Sequence, residues 1–493
     1  MQKSVTKGHG RNGPSPPASL PMPVKARPYR HQQEAFDFVC RLFGLMDGKK
    51  QSSGAALLME MGCGKTLVAI AVAGILYQFG LAEKVLVVAP LSLLGVWENE
   101  FTRFAHFPVS ITVLKGTAEK KSHLLKDAKA KNRLQVVVVN YETAWRMETQ
   151  LLKFNADLII ADEGHKIKQH STKQAKGVHK LGALADYRLL LTGTLITNKE
   201  MDVFSQYKFV NPAIFGSSFF TFRNRFFDMT GYGLHTPVFR TSQSNEFLRR
   251  LHSVAFRVTK AEALDLPPIT EETRSVELEP KTMRLYKELA DESFASLNPG
   301  DITAVNILTR MLRLSQLTGG FVGDDNKLVH QVSTAKMEAL MDIVDSVMED
   351  GKKLVIMARF VPEMDAIIAM LDKKGIGYAQ VRGGVKDRAE EVRRFQEDAD
   401  CKVFIGQIAA AGLGLTLTAA DTMVFYSLDY SMSNFTQAQA RIHRIGAQGT
   451  CHYIYLLAQG TIDEKVMKAL QGKVDLAKAL IDDYRSGRNP FNL

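Results

Sequence analysis

The sequence predicts an α/β fold with two parallel sheets, each covered by helices, and helical structure inserted between them. Three observations carry this expectation. Up to residue 194, short β-branched runs ("AALLM", "KVLVVAP", "QVVVVNYE", "ADLIIADE", "YRLLLTGT") alternate with helical patterns such as "KTLVAIAVAGILYQ". Runs this apolar are buried on both faces, as strands are in a parallel sheet. From about residue 199 to 335 the texture becomes helical, aromatic and basic, as in "FFTFRNRFFD" and "AVNILTRMLRLSQL", with few convincing strands. The alternation then resumes at "KKLVIMARF" and passes through "IGYAQVRGG", "CKVFIGQIAAAG" and "TMVFYSLD" to "HYIYLLAQG", a second sheet.

Taken in order, residues 1–26 are rich in Pro, Gly and Ser without apolar periodicity and read as a disordered basic arm. Residues 27–198 form the first sheet lobe, 199–335 the helical insertions, 336–460 the second lobe, and 461–493 a C-terminal bracing helix and tail. That last helix opens on "TIDE", where Thr461 and Glu464 can form a capping box.

A chain of 493 residues, 45% hydrophobic and 23% charged, is globular and too long for one ordinary domain. No apolar run approaches the roughly 18 residues that span a bilayer, and the N-terminus has no secretory apolar core. The expectation is a soluble intracellular protein with no membrane partner, cytoplasmic in a prokaryote or an infected host cell and nuclear in a eukaryote. The formal charge of +11 is compatible with a polyanionic partner. The four cysteines, Cys40, Cys63, Cys401 and Cys451, are far apart and show no ligand spacing, so they read as reduced, buried thiols.

The strongest local signal is "LLMEMGCGKTLVAI", an apolar strand running into Gly62, Gly64, Lys65 and Thr66 before a helix. Such a loop aims backbone N–H groups and a helix N-terminus at phosphates, with Lys65 reaching the terminal phosphates of ATP and Thr66 holding Mg2+. Met59 stands where the strict Walker A pattern has its first glycine. A glycine turn in a βα unit would explain GxGK alone, but not its strand-loop-helix setting. The second signal is "DLIIADEGHKIK", in which Asp162 and Glu163 end an apolar strand at the carboxyl edge of a sheet. Asp162 can hold Mg2+ through water, and Glu163 can orient or deprotonate the attacking water. Adjacent acids at a strand end are often solvated loop residues; an upstream phosphate loop makes them the second half of an ATP site.

With these motifs in this order, the chain resembles the superfamily two helicase-like ATPases, and within them the Swi/Snf class, from about residue 27 to 480. "RPYRHQQEAF" resembles the adenine-reading motif, with Gln32 as its glutamine, and "EMGCGKT" and "DEGH" resemble Walker A and B. "APLSLLGVWENEF", "NYE", "LTGTLITN", "FVNPAIFGS", "FRVTKAEALDLPP", "AAGLGLTLTAADTMVFYSLDYS", "QAQARIHRIGAQ" and "GTIDEKV" are similar to further motifs of that class.

The resemblance implies two RecA-like lobes with ATP in the cleft between them and duplex DNA lying across both, contacted through its phosphates. It implies DNA contacts at Pro90, Ser92, Tyr141, Gly383 and Gly412, and coupling between hydrolysis and DNA at His165, Thr192, Thr194 and Gln437. Arg441 and Arg444, three apart in a segment that alone reads as a solvated basic helix, can share one helix face and reach the γ-phosphate as cis arginine fingers, Arg444 being the finger proper. The implied activity is a DNA-dependent ATPase that translocates on duplex DNA, in a minimal prokaryotic or phage-type form, with other proteins on DNA as further partners. Departures fall at coupling and DNA-contact positions: Leu195 stands for the proline after TGT, Ala411 for a glycine, and "LDYSMSN" for Asp-Trp-Asn-Pro. A strand-separating helicase, the motor of a restriction or defence complex, and a nucleotide-gated binding module without hydrolysis are the competing readings.

Two tempting features have plain explanations. The aromatics of "FFTFRNRFF" read as helix packing rather than base stacking, and Cys63 as small-residue packing rather than a redox thiol.

Overall fold

The computed structural model describes residues 19–129, 131–193, 195, 200–230, 236–263, 266–295, 304–323, 328–385, 387–411, 415–444, 447 and 449–472, with scattered positions beyond. The chain forms two compact units, Met1–Ala263 and Leu264–Leu493.

The strands of the first unit are β1 (Gly54–Met59), β2 (Lys84–Ala89), β3 (Val109–Val113), β4 (Leu134–Asn140), β5 (Leu158–Asp162), β6 (Tyr187–Leu191), β7 (Phe227–Thr230), β8 (Thr236–Phe239) and β9 (Ala255–Val258). Seven of them make one sheet in the order β3-β4-β2-β5-β6-β1-β9, every pairing parallel. Every residue of β1 and β5 is buried, because helices cover both faces of these central strands. The helix Lys65–Gln78 is buried from Leu67 to Leu76 on all sides, which explains its lack of an apolar stripe. A Cβ at Gly74 of this helix would stand 2.2 Å from the Phe107 ring and 2.9 Å from Pro23, so glycine is what admits these neighbours.

Pro23 belongs to the segment expected as a disordered arm, and this expectation is corrected over residues 19–25. Val24 bridges Ala105, Lys25 N donates to Phe104 O at 2.8 Å, and Leu20 N and Ser19 Oγ donate to the Asp37 carboxylate. Met22 and Val24 are buried. Two apolar side chains among polar neighbours suffice to anchor a strand-like segment that shows no periodicity. Residues 1–18 lie outside the described residues.

The second unit contains β10 (Ile269–Val276), β11 (Phe321–Gly323), β12 (Val329–Gln331), β13 (Leu354–Ala358), β14 (Gly377–Val381), β15 (Cys401–Gln407), β16 (Thr422–Phe425) and β17 (Cys451–Ala458). Six form a parallel sheet, β10-β17-β16-β13-β15-β14. Period two distributes its residues between two cores. Leu354, Ile356, Val403, Ile405 and Val424 join the core under the helices Ala335–Glu349 and Val361–Lys374, while Val355, Met357, Phe404, Met423 and Phe425 join the core on the other face.

The stretch expected as helical insertions with few strands, 199–335, holds more strand than expected: it supplies β9 to the first sheet, β10 to the second, and two antiparallel pairs, β7 with β8 and β11 with β12. Its aromatics pack as helix core only in part, since Phe220 is exposed. Phe222 and Phe226 are buried, with Phe204, Phe215, Phe227 and Phe247 around them at ring separations of 5.3 to 5.8 Å. The capping box at Thr461 is shifted by one residue at each end: Thr461 Oγ1 accepts from Asp463 N, and the Glu464 carboxylate from Gly460 N. This frees Asp463 to turn inward, where it pairs with buried Lys336 at 2.5 Å and accepts from Thr318 and Ala458 N.

Beside that pair lies Glu363, fully buried, with one carboxylate oxygen accepting from Arg359 N, Phe360 N and Ser427 Oγ. Its other oxygen, Oε1, has no hydrogen-bond partner among the described residues. Burial raises this carboxyl to about 7, against the hydrogen bonds and the Lys336 charge that favour the ion. A carboxyl raised on folding contributes stability that is complete below its unfolded value of 4.5 and lost as pH rises through about 7. The loss is on the order of 3 kcal/mol. Glu363→Gln keeps the acceptor oxygen and removes the charge. Its midpoint in urea should therefore match that of wild type at about pH 4 and exceed it progressively as pH rises through 7. Parallel pH profiles for the two proteins would locate the dependence elsewhere.

Candidate active site

The site is built at the carboxyl edge of the first sheet, where loops leave parallel strands. Met59 is the buried last residue of β1, a strand position with no need of glycine, which explains the departure from the strict loop pattern. The turn needs glycine later, at Gly62 (φ +90°) and Gly64 (φ +83°), both in the left-handed region. Gly64 has a second reason: a Cβ there would lie 2.1 Å from Gln32 Nε2.

Gln32 and its neighbour hold the loop from behind. Gln32 Nε2 donates to Cys63 O at 3.2 Å, its Oε1 accepts from Tyr29 N, and His31 Nε2 lies 2.9 Å from the same Cys63 carbonyl. The Cys63 thiol is buried, and burial raises its pKa, which suits packing rather than reactivity. Lys65 and Thr66 open the helix that follows, and Lys65 Nζ donates to Met59 O at 2.8 Å and Glu60 O at 3.4 Å.

The acids come from β5, separated from β1 in the sheet only by β6. Asp162 is its last residue, in register with Leu191, and Glu163 follows with φ +51°, a conformation that costs a non-glycine residue about 1 kcal/mol or more. Both acids are buried. Asp162 Oδ1 accepts from Glu163 N at 2.9 Å and Oδ2 from Trp97 Nε1 at 2.9 Å, while its carbonyl accepts from Tyr141 Oη at 2.6 Å. Burial first and the adjacent Glu163 second push Asp162 up to about 6, opposed by the Trp97 N–H and the Lys65 charge. His165 Nδ1 stands 3.2 Å from Glu163 Oε2. The fold thus gathers a phosphate-type loop, its lysine and two buried acids on one edge of one unit.

The chemistry of these donors fits magnesium. Mg2+ characteristically takes one or two carboxylates, a hydroxyl, waters and substrate phosphates rather than a full protein cage. Two buried carboxylates side by side, each disfavouring the other's charge, are a setting that a divalent cation relieves.

In the second unit the helix expected across Arg441 and Arg444 ends earlier, at Gln439, and this is a correction. Tyr453 Oη donates to Gln439 O, Ile442 enters the core, and His443 Nε2 lies 3.0 Å from Pro267 O. These tertiary contacts outweigh the helical spacing. The arginines are nonetheless brought together in the turn, Arg441 Nη1 at 3.4 Å and Arg444 Nη1 at 3.3 Å from Leu415 O. Arg441 is buried, so the reading of the segment as a solvated basic face is also corrected. Gln437 lies within the helix Met432–Gln439.

Of the remaining expected residues, Pro90 caps the short turn Leu91–Leu93 that carries Ser92, and both are partly exposed. Gly383 is exposed after β14, its N–H donating to Gln407 Oε1. Thr192 is fully buried after β6, its N–H donating to Leu57 O. Tyr141, expected at the DNA surface, is corrected: it is buried and its hydroxyl turns inward to Asp162. Thr194 and Gly412 lie outside the described residues. Two residues escaped sequence reasoning, His31 and Trp97. His31 adjoins the motif glutamine, whereas Trp97 has the look of an ordinary apolar helix position.

Residues 31–319 match the model of the SNF2-related domain and residues 335–446 that of the helicase conserved C-terminal domain. The chain is 27% identical, over 95% of its length and 42% of the relative's, to a probable chromatin-remodeling complex ATPase chain of Oryza sativa subsp. japonica. It is 25% identical, over 94% of its length and 64% of the relative's, to a DNA repair and recombination protein RAD54-like of Drosophila persimilis. An uncharacterized ATP-dependent helicase of Mycoplasma pneumoniae is 28% identical over 92% of this chain and 42% of its own. The chain therefore spans less than two thirds of the length of each of these relatives. Among solved structures, the Sulfolobus solfataricus SWI2/SNF2 ATPase core in complex with dsDNA is similar at 26% identity and a TM-score of 0.45, over 95% of both chains.

Proposed function

The chain belongs to the family of proteins with an SNF2-related domain, and on that premise we propose that it is a DNA-dependent ATPase that translocates along duplex DNA without fully separating the strands. The observation that carries the reading is the meeting of Gly62, Gly64, Lys65 and Thr66 with Asp162 and Glu163 at one edge of one sheet, close enough for the Lys65 charge to act on Asp162.

In this reading the N–H groups of the loop and the Lys65 ammonium bind the phosphates of ATP, and Thr66 and Asp162 hold magnesium. The metal, when bound, neutralises charge on the β- and γ-phosphates. Glu163 accepts the proton of the attacking water and His165 orients Glu163. Gln32 supports the loop and reads the base. Arg444, with Arg441 beside it, is offered to the γ-phosphate from the second unit when the lobes close, and Thr192, Thr194 and Gln437 couple that closure to DNA. Pro90, Ser92, Gly383 and Gly412 meet the sugar-phosphate backbone, so binding depends steeply on salt and little on sequence. The net charge of +11 and the chromatin-remodeling and DNA-repair names of relatives favour duplex DNA as the partner.

The test is ATP turnover with duplex DNA, single-stranded DNA and RNA side by side, together with release of a labelled strand. Duplex DNA should stimulate most, and raising salt from 50 to 200 mM, about the range over which phosphate-bound proteins lose orders of magnitude in affinity, should abolish the stimulation. Strand release with a single-strand preference would assign a separating helicase or defence motor instead. Nucleotide binding without turnover would assign a gated binding module.

A further inference from the structure

Trp97 lies in the helix Leu94–Phe104, directly after the turn that carries Pro90 and Ser92. It is 1% exposed, and its ring packs 5.9 Å from that of Phe101. A phenylalanine or leucine would fill such a position without burying a polar atom. An indole N–H withdrawn from water costs free energy unless it finds an acceptor, and the acceptor here is a carboxylate oxygen, Asp162 Oδ2 at 2.9 Å, 65 residues away in sequence. With Oδ1 taking the N–H of Glu163, each oxygen of Asp162 receives one N–H and the plane of the carboxylate is set. The lone pairs left over define the direction from which a cation or its waters can approach.

We propose that Trp97 is a positioning residue for metal binding: its indole N–H fixes the Asp162 carboxylate in the orientation that receives Mg2+ with the nucleotide. The proposal rests on the ATP-site reading and adds to it a residue from the stretch assigned to DNA contact. Outer hydrogen bonds of this kind hold metal-bound carboxylates in place, and their removal characteristically weakens metal binding about 10- to 100-fold.

The chain has two tryptophans, which makes the contact observable directly. The other, half-buried Trp145, donates from its indole to exposed Glu142 Oε2 at 3.0 Å within the helix Tyr141–Arg146. In protein labelled with 15N at the indole, Asp162→Asn should shift the Trp97 resonance and leave that of Trp145, and Glu142→Gln should do the reverse. A Trp97 signal indifferent to Asp162→Asn would overturn the proposal, and this measurement does not require a Trp97 variant to fold.

The second measurement is Mn2+ binding with ADP, followed by the electron paramagnetic resonance of free Mn2+. Trp97→Phe keeps the ring bulk and removes the donor. It should weaken Mn2+ binding about tenfold while leaving metal-free ADP affinity unchanged. Added to Asp162→Asn it should have no further effect, because both changes act on one contact. Equal loss of metal-free ADP affinity, or full additivity with Asp162→Asn, would reduce Trp97 to packing and overturn the proposal. Should wild type bind no Mn2+ with ADP, or Asp162→Asn leave Mn2+ affinity unchanged, the ATP-site reading itself fails and the proposal with it. A loss with Asp162→Asn but none with Trp97→Phe sinks only the proposal.

Discussion

Glu163→Gln should bind ATP with magnesium within a few-fold of wild type and lose turnover by roughly a hundredfold to ten-thousandfold, the range that a general base contributes. The amide is isosteric with the carboxylate, so it fills the same buried site. The backbone strain at φ +51° is common to both proteins and cancels in the comparison. What disappears is the capacity to accept the proton of the attacking water. The variant also removes the charge that, after burial itself, does most to raise Asp162. Asp162 should then ionise at a lower pH than its value of about 6 in the wild type. Since a metal ligand must be deprotonated, Mg2+–ATP binding by the variant should persist to more acid pH, not less. Fluorescent-nucleotide titration from pH 5 to 8, beside single-turnover hydrolysis, measures both effects. Normal turnover in the variant would remove Glu163 from the chemistry.

Much of this site was legible because its chemistry depends on adjacent residues. A turn needing left-handed backbone at Gly62 and Gly64, followed by Lys65 at a helix start, is a local pattern, and so is an apolar strand that ends in two acids. The central strands were legible for a related reason: burial on both faces leaves unbroken apolar runs. Edge strands obey another rule. Most of β10 is exposed and it reads "ITEETRSV", so no periodicity announced that it completes the second sheet, and the region around it was read as helical. The short β9 gave equally little signal. Contacts over long sequence separations were also invisible. Trp97 drew no reading of its own inside "APLSLLGVWENEF", and Tyr141 was expected at the DNA surface, until the fold set both against Asp162. Arg441 and Arg444 came together as expected, but through a shared carbonyl in a turn and not along a helix.

That geometry separates the two arginines by experiment. Arg441 is buried, its guanidinium donating to Leu415 O, its N–H to Ala438 O and its carbonyl accepting from Leu417 N, so it belongs to the packing of the turn. Removing a buried guanidinium leaves a cavity and takes one of two donors from Leu415 O, and Arg441→Ala should lower thermal stability by several degrees as well as activity. Arg444 is partly exposed. Arg444→Ala should therefore unfold near the wild-type temperature, bind ATP normally, and lose roughly a thousandfold or more of its DNA-stimulated turnover, the contribution that an arginine finger makes to phosphoryl transfer. The loss should appear in kcat and not in KM, because the charge it stabilises develops only in the transition state. Arg444→Lys restores the charge without the planar two-pronged donor and should recover only part of the rate. DNA-dependent turnover left intact in Arg444→Ala would confine both arginines to the architecture of the turn, and hydrolysis would then have to draw its transition-state charge from Lys65 and the metal alone.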